Sequence, residues 1–424
     1  MTQPWQISTL KNGLRVVTTP VPTSYGASVN VFVGAGSRGE DPRINGVSHF
    51  LEHILFKGTE SWPNPNDIAE TVEGAGGVLN AYTTKELTCY WNQVPYDKFD
   101  TAINVLADMM FKPILEGAEI ERERTVVQQE IKRSKDQPSS WAHELLSTAV
   151  YGDQPIGWSI AGSEDSVAGL SKDDFTGYMG EWYVPSNMVL SVAGRVTHDQ
   201  VVKATEEIFD AARDGQAPSF SPARKGMPKD RFVVETRDLA QAHIAMGLHT
   251  ISRHDPDRYP LELLNTVLGR GMSSRLFKEV REKRGLAYAV GSGVSLHHDV
   301  GLLGISAGVS PENAKETVQC IVEELEKLVD EPVGAGELAK GKEFRVGNFR
   351  LSLESPMSLA QRAGESLLTM GEIEPVEEVV AKLEAVNAQD IQRVAADIIR
   401  RDNIAISVVG PGIEQAEIAE LIAA

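Results

Sequence analysis

Cysteine is almost missing from this chain: Cys89 and Cys320 are the only two in 424 residues. Two thiols so far apart exclude a disulfide framework and any thiolate metal site with local spacing, and they fit a reducing compartment. Aromatics make up only 6%. No apolar run approaches the roughly 18 residues that cross a bilayer, so a helical membrane anchor is not expected. The opening Met1-Thr2-Gln3-Pro4-Trp5-Gln6 has neither a basic n-region nor an apolar h-region, which predicts no secretion signal and a cytoplasmic location. Positive charge is in deficit as well. Lys and Arg total 41 against 60 Asp and Glu, for a net charge of −19. A chain so acidic lacks the basic face that nucleic acid requires. The excess acid reads as a solvated surface, or as a preference for cationic peptides if it lines a cavity. Glycines 34, 36, 74, 76 and 77 precede no Gly-Lys-Ser/Thr and lack a dinucleotide fingerprint, so no phosphate loop is expected.

What remains is a globular composition, 42% hydrophobic and 24% charged, long enough for two to four domains. Within it one stretch carries concentrated chemistry: Gly46-Val47-Ser48-His49-Phe50-Leu51-Glu52-His53-Ile54-Leu55-Phe56-Lys57-Gly58. Val47, Phe50, Leu51, Ile54 and Leu55 recur at helical spacing; Asn45 or Ser48 suits the start and Gly58 the end. On such a helix His49 and His53 lie one turn apart on a single face, and both can reach one ion. Glu52 stands on the same side. His-x-x-Glu-His is the inverted form of the His-Glu-x-x-His zinc motif, with a carboxylate placed to take a proton from water. Burying two histidines and a glutamate without a metal would leave polar groups to satisfy.

The surrounding pattern is α+β. Trp5 to Leu10 and Leu14 to Thr19 read as strands about an Asn12-Gly13 hairpin turn, and Ala27 to Val33 as a third. After the histidine helix come a helix from about Pro65 to Glu73, strands Val78 to Thr83 and Leu87 to Pro95, a helix near Pro95 to Met110, and a charged helix Gly117 to Lys135. More helix runs to about Val150, then a short helix near 172–181 and the strand Asn187 to Ala193. Residues 214–230, rich in Pro, Ser and Gly, read as a linker between halves 1–213 and 231–424. Those halves echo each other. Asn187, Ser191 and Gly194 recur as Asn403, Ser407 and Gly410; Ser37-Arg38 recurs as Ser252-Arg253, and Asp41-Pro42 as Asp255-Pro256. The echo predicts a duplicated unit of roughly 200 residues, two α/β-sandwich halves. In the second copy Leu263 to Phe277 stands where the first has its histidines, so the metal belongs to one half only.

Two histidines leave a catalytic zinc one protein ligand short. The charged helix contains Glu123 and Glu130, two turns apart on one face. One of the two can bind the metal while the other bonds to a histidine or positions the ligand.

The motif followed by 76 residues and Glu130 is similar to the pitrilysin-like or insulinase-like (M16) inverted zinc metallopeptidases. Phe56-Lys57-Gly58-Thr59, Leu79-Asn80-Ala81-Tyr82-Thr83, Glu121-Arg122-Glu123-Arg124, Gly271-Met272-Ser273-Ser274-Arg275-Leu276-Phe277 and Val280-Arg281-Glu282-Lys283-Arg284-Gly285-Leu286-Ala287-Tyr288 resemble its mitochondrial processing peptidase-like branch and bacterial homologues. The resemblance implies that His49, His53 and Glu130 bind Zn2+, that Glu52 is the general base, and that Glu123 is the additional glutamate beside the metal. It further implies that Asn80 and Ala81 lie on the edge strand that holds the substrate backbone, and that Arg281 and Tyr288 reach the substrate and the oxyanion. The expected activity is endopeptidase cleavage of unfolded or leader-type peptides. At about half the length of the family's full chains, this one would form a clamshell chamber with a second chain, as a homodimer or with a related partner. Gly269-Arg270-Gly271-Met272 is too short for the glycine-rich loop of the non-catalytic processing subunit. The remaining alternative is a catalytically silent member acting as scaffold or partner subunit. His143, His198, His243, His249, His254, His297 and His298 lack ligand spacing and read as surface or satisfied core residues.

Overall fold

The Asn12-Gly13 turn closes the first hairpin. In the computed structural model, which describes residues 5–209 and 215–423, Gly13 takes φ +88° and Asn12 Oδ1 accepts the Leu14 amide at 3.2 Å. Strands β1 (Gln6–Thr9), β2 (Arg15–Pro20), β3 (Gly26–Val33), β4 (Val78–Thr83), β5 (Thr88–Pro95) and β6 (Met188–Gly194) form one sheet in the order β1-β2-β6-β3-β5-β4. Only β2 and β6 pair in parallel. The central strands β3 and β6 are buried along nearly their whole length, which is why they read as apolar runs rather than as alternation.

A second sheet comprises β7 (Phe232–Glu235), β8 (Ala242–Thr250), β9 (Ala287–Leu296), β10 (Gly301–Val309) and β11 (Ile404–Val409), in the order β7-β11-β8-β10-β9. Without β1, the first order matches the second position for position, including one parallel pair, β7 with β11. The echoed residues do the same work in both. Asn187 Nδ2 donates to the Gly34 and Trp182 carbonyls; Asn403 Nδ2 donates to those of His249 and Ile398. Gly194 and Gly410 take φ +133° and +125°. Asp41 and Asp255 each accept backbone amides two residues on. The fold is thus mixed α/β with two sheets, as the duplication predicts.

The chain divides into two compact units, and they are not the contiguous halves 1–213 and 231–424. The first holds Met1–Ile131, Trp158–Ser221 and Arg350–Pro375; the second holds Lys132–Gly157, Pro222–Phe349 and Val376–Ala424. One boundary, Ser221/Pro222, falls inside the expected 214–230 linker, whose residues 215–230 carry no helix or strand; Asp214 lies outside the described residues. The difference is a reciprocal exchange of helices. Helix Pro138–Tyr151 lies on β8 and β11 of the second unit, and helix Pro356–Met370 lies on β2, β3 and β6 of the first. The reason is apolar area on the second face of each sheet. In the first unit Val17, Phe32, Cys89 and Val189 are covered by Ala363, Leu367 and Ile373. In the second, Ala245, Ala405 and Val409 are covered by Ala142, Leu146 and Val150. The echoed serines fasten both helices: Ser191 Oγ donates to the Ala360 carbonyl at 2.6 Å, and Ser407 Oγ to that of Ala142 at 2.5 Å. Among the described residues no helix is long and apolar enough to cross a membrane.

Candidate metal centre

The histidine helix runs Val47–Ile54, eight residues. Val47, Phe50, Leu51 and Ile54 are fully buried in the first unit's core. That packing fixes the helix rotation and turns the half-buried His49, Glu52 and His53 away from the core. Neither Asn45 nor Ser48 caps its start, contrary to expectation. The N-cap is Gly46 at φ +99°, where a Cβ would stand 2.7 Å from the Ala161 carbonyl oxygen. The first amides go instead to Glu40. Its Oε2 accepts from Gly46 N (2.7 Å) and Asn45 Nδ2 (2.8 Å), and its Oε1 from Ser48 N (2.9 Å). Ser48 Oγ donates to the Tyr178 hydroxyl, which donates to the Gly36 carbonyl. Burial pushes the Glu40 carboxyl up to about 7 against the pull of these bonds.

His49 Nε2 and His53 Nε2 both face Glu130 Oε2, at 3.5 and 3.4 Å. Ligand atoms each about 2.0–2.1 Å from a tetrahedral centre stand about 3.3–3.4 Å apart, so this spacing suits one shared ion. The three ligand atoms lie within 4.8 Å of one another, and no other group of three or more His, Cys, Asp or Glu side chains converges in this way among the described residues. Two imidazoles and a carboxylate form a donor set that zinc accepts. Burial, with the neighbouring His53, pushes the His49 imidazole down to about 4, which leaves its ring neutral with a lone pair to give.

Glu123 sits one layer behind. Its Oε2 is 3.3 Å from His53 Nδ1, and its Oε1 takes the Lys57 ammonium at 3.0 Å. This places the proton of His53 on Nδ1 and turns Nε2 toward Glu130. Burial opposes charge on His53, but Glu123, Glu130 and Glu52 outweigh it and hold its pKa above the ordinary value. Glu52 has the reverse balance. Burial raises its carboxyl, while the Thr83 hydroxyl, donating to Oε2 at 2.7 Å, pulls it down.

Asn80 and Ala81 lie on β4, the edge of the first sheet, with Asn80 exposed. The Ala81 amide donates to Asn80 Oδ1 at 2.8 Å. Arg281 and Tyr288 belong to the second unit. The Arg281 guanidinium lies 5.7 Å from the centre of the Tyr288 ring, and Tyr288, at the start of edge strand β9, is 77% exposed. Several of the other histidines are satisfied: His198 bonds to Ser8 and Thr18, His249 to the Val150 carbonyl, and His143 to that of Ser139. Sequence reasoning gave no role to Glu40, Lys57 or Thr83. Lys57 and Thr83 lay inside family-like blocks; Glu40 carried no signal, because a cap supplied from outside the helix has no fixed spacing.

The sequence matches the family pattern described as insulinase (peptidase family M16) over residues 15–164, and that of the peptidase M16 inactive domain over 169–344. An uncharacterized zinc protease of Bacillus subtilis is 37% identical over 408 residues, covering 95% of this chain and 97% of its own. Another from Streptomyces coelicolor is 34% identical, with 95% and 89% covered. Among solved structures, a protease from Helicobacter pylori has a TM-score of 0.90 at 25% identity, covering 96% of this chain and all of its own. A peptidase M16 inactive domain from Pseudomonas fluorescens gives 0.89 at 20% identity, with 97% and 99% covered. His49, His53 and Glu130 fall inside the insulinase match and outside the inactive-domain match. With two histidines of an inverted His-x-x-Glu-His helix joined by Glu130 of helix Gly117–Asp136 in a zinc-type donor set, and near-full-length relatives of this kind, the chain belongs to the M16 (insulinase) peptidase family.

Proposed function

We propose that this chain is a zinc metalloendopeptidase of the processing peptidase-like branch, cleaving unfolded or leader-type peptides in a chamber formed with a second copy or a related chain. The observation that carries this reading is the convergence of His49 Nε2, His53 Nε2 and Glu130 Oε2 beside the half-buried carboxylate of Glu52. A zinc ion held there supplies Lewis acidity to the scissile carbonyl and to a water molecule. Glu52 takes the proton of the attacking water and delivers it to the leaving amine; its raised pKa makes it the better base. Glu123 and Lys57 hold His53 in the required tautomer. Asn80 and Ala81 offer the β4 edge to an extended substrate; to pair there, the Ala81 amide exchanges its bond to Asn80 for a substrate carbonyl. Tyr288, with Arg281 against its ring, donates to the oxyanion. The surplus of acid favours basic peptides.

The test is metal content and hydrolysis of a quenched fluorescent peptide library by purified protein, with and without chelator, with particle mass recorded. Stoichiometric zinc and chelator-sensitive cleavage by a two-chain particle are expected. Protein that purifies free of metal and stays inert when zinc is added would instead favour the silent scaffold subunit.

A further inference from the structure

We infer that Glu40 is the positioning residue that holds the metal helix in register for its ligands, an inference that rests on the zinc reading above. Glu40 is 4% exposed, and both of its oxygens are spent on the start of one helix: Gly46 N, Ser48 N and the Asn45 side chain. That helix has eight residues, too few to be stable by itself, and its N-cap glycine supplies no side-chain bond. His49 is its third residue, so a first turn that frays carries a metal ligand away with it. A carboxylate at a helix start also meets the positive end of the helix dipole.

The duplication supplies a comparison within the molecule. Between the echoed Ser37-Arg38 and Asp41-Pro42 the first unit has Gly39-Glu40; between Ser252-Arg253 and Asp255-Pro256 the second has only His254. The backbone on both sides of this difference is shared: before it the Arg38 and Arg253 amides donate to the hairpin carbonyls of Lys85 and His297, and after it Asp41 and Asp255 accept the amides two residues on. In the second unit the helix that follows, Arg258–Gly269, starts without a side-chain cap and buries Leu263 and Leu264. The first unit thus carries one residue more in this loop, and a glutamate here is confined to the unit that bears the histidines. A helix that needed only stability could use an N-cap serine, as helix Lys172–Trp182 does with Ser171. A carboxylate reaching in from the preceding loop fixes the helix start relative to the sheet as well.

The experiment compares zinc affinity, by chelator competition, in wild type, Glu40→Gln, Glu40→Ala and Asn387→Ala. Gln keeps the volume but points an NH2 group at a donor; Asn387→Ala removes the cap of the second unit's helix Ala388–Ile398, so it lowers Tm without touching the metal helix. Both Glu40 variants are expected to bind zinc about 10–100-fold more weakly, with kcat lowered and KM unchanged. In their metal-free forms the Gly46 and Ser48 amides exchange faster. Asn387→Ala keeps wild-type zinc affinity. If the Glu40 variants fail to fold, Asn45→Ala, which removes one donor and no buried carboxylate, gives a smaller loss in the same direction. Zinc affinity equal to wild type in the folded Glu40 variants, or in Asn45→Ala where those do not fold, overturns the role of Glu40. A wild-type protein that binds no zinc instead overturns the metal reading beneath it.

Discussion

Glu52 stands between two opposed influences: burial, which favours its neutral form, and the Thr83 hydroxyl, which favours the carboxylate. Thr83→Val removes only the second. The base form exists above the pKa, so the acidic limb of the kcat/KM profile should move to higher pH, by about one unit for a lost bond to a charged group. A limb that does not move would mean that some other group accepts the proton. Behind the ligands, Glu123→Gln should weaken zinc binding about 10–100-fold by freeing the His53 ring, as chelator titration would read. At this scale the spacing His-x-x-Glu-His made His49, Glu52 and His53 legible in the sequence. It left the division of labour between Glu123 and Glu130 open, because seven residues on one helix face place both near the site. In the structure Glu130 faces both Nε2 atoms, while Glu123 goes to Lys57 and His53 Nδ1, in agreement with the family resemblance. Thr83 is contributed by a neighbouring strand, a relation that local pattern does not encode.

At the level of elements, most helices and strands of the first half fall within a few residues of the periodicity, since long apolar runs and the Asn-Gly turn leave few alternatives. Local pattern does not say which sheet helix Pro356–Met370 meets. The contact is tight: a Cβ on Gly364 would stand 2.3 Å from Phe32 Cε2. Gly364→Ala should therefore cost about 1–3 kcal/mol and lower Tm by several degrees; unchanged melting would show that the helix can retreat without loss. Helix Lys172–Trp182 is tied to the loop before the metal helix by Arg43, 2.7 Å from Asp174 Oδ1. That bond, aided by Ser171, holds the Asp174 carboxyl down to about 2 against an ordinary 3.8. A depressed carboxylate stabilises the fold above its unfolded pKa and loses that contribution as pH falls through the folded value. Wild type should melt above Asp174→Asn at pH 5, and the gap should close between about pH 4 and pH 2. A gap constant with pH would assign the effect to the neutral bonds alone.

Over the whole molecule, the duplication was legible because the echoed asparagine, serine and glycine serve backbone needs that any copy of the unit shares. The exchanged helices were not, since the choice of sheet is made by area buried far along the chain. Their presence makes a definite forecast for fragments. Residues 1–221 and 222–424 expressed apart should each expose an uncovered sheet face, aggregate or bind an apolar dye, and recover when produced together. A fragment 1–221 that unfolds cooperatively at the wild-type temperature would contradict this. The same exchange also orders events in time. Phe32 leaves the ribosome early, yet Leu367, which covers it, follows more than three hundred residues later. At about 5–20 residues per second, that face of the first sheet waits roughly 17–70 s during synthesis for its cover. The unit with the zinc-type residues starts first and is completed late, and an unfinished nascent chain carries the histidine motif before the sheet beside it is closed.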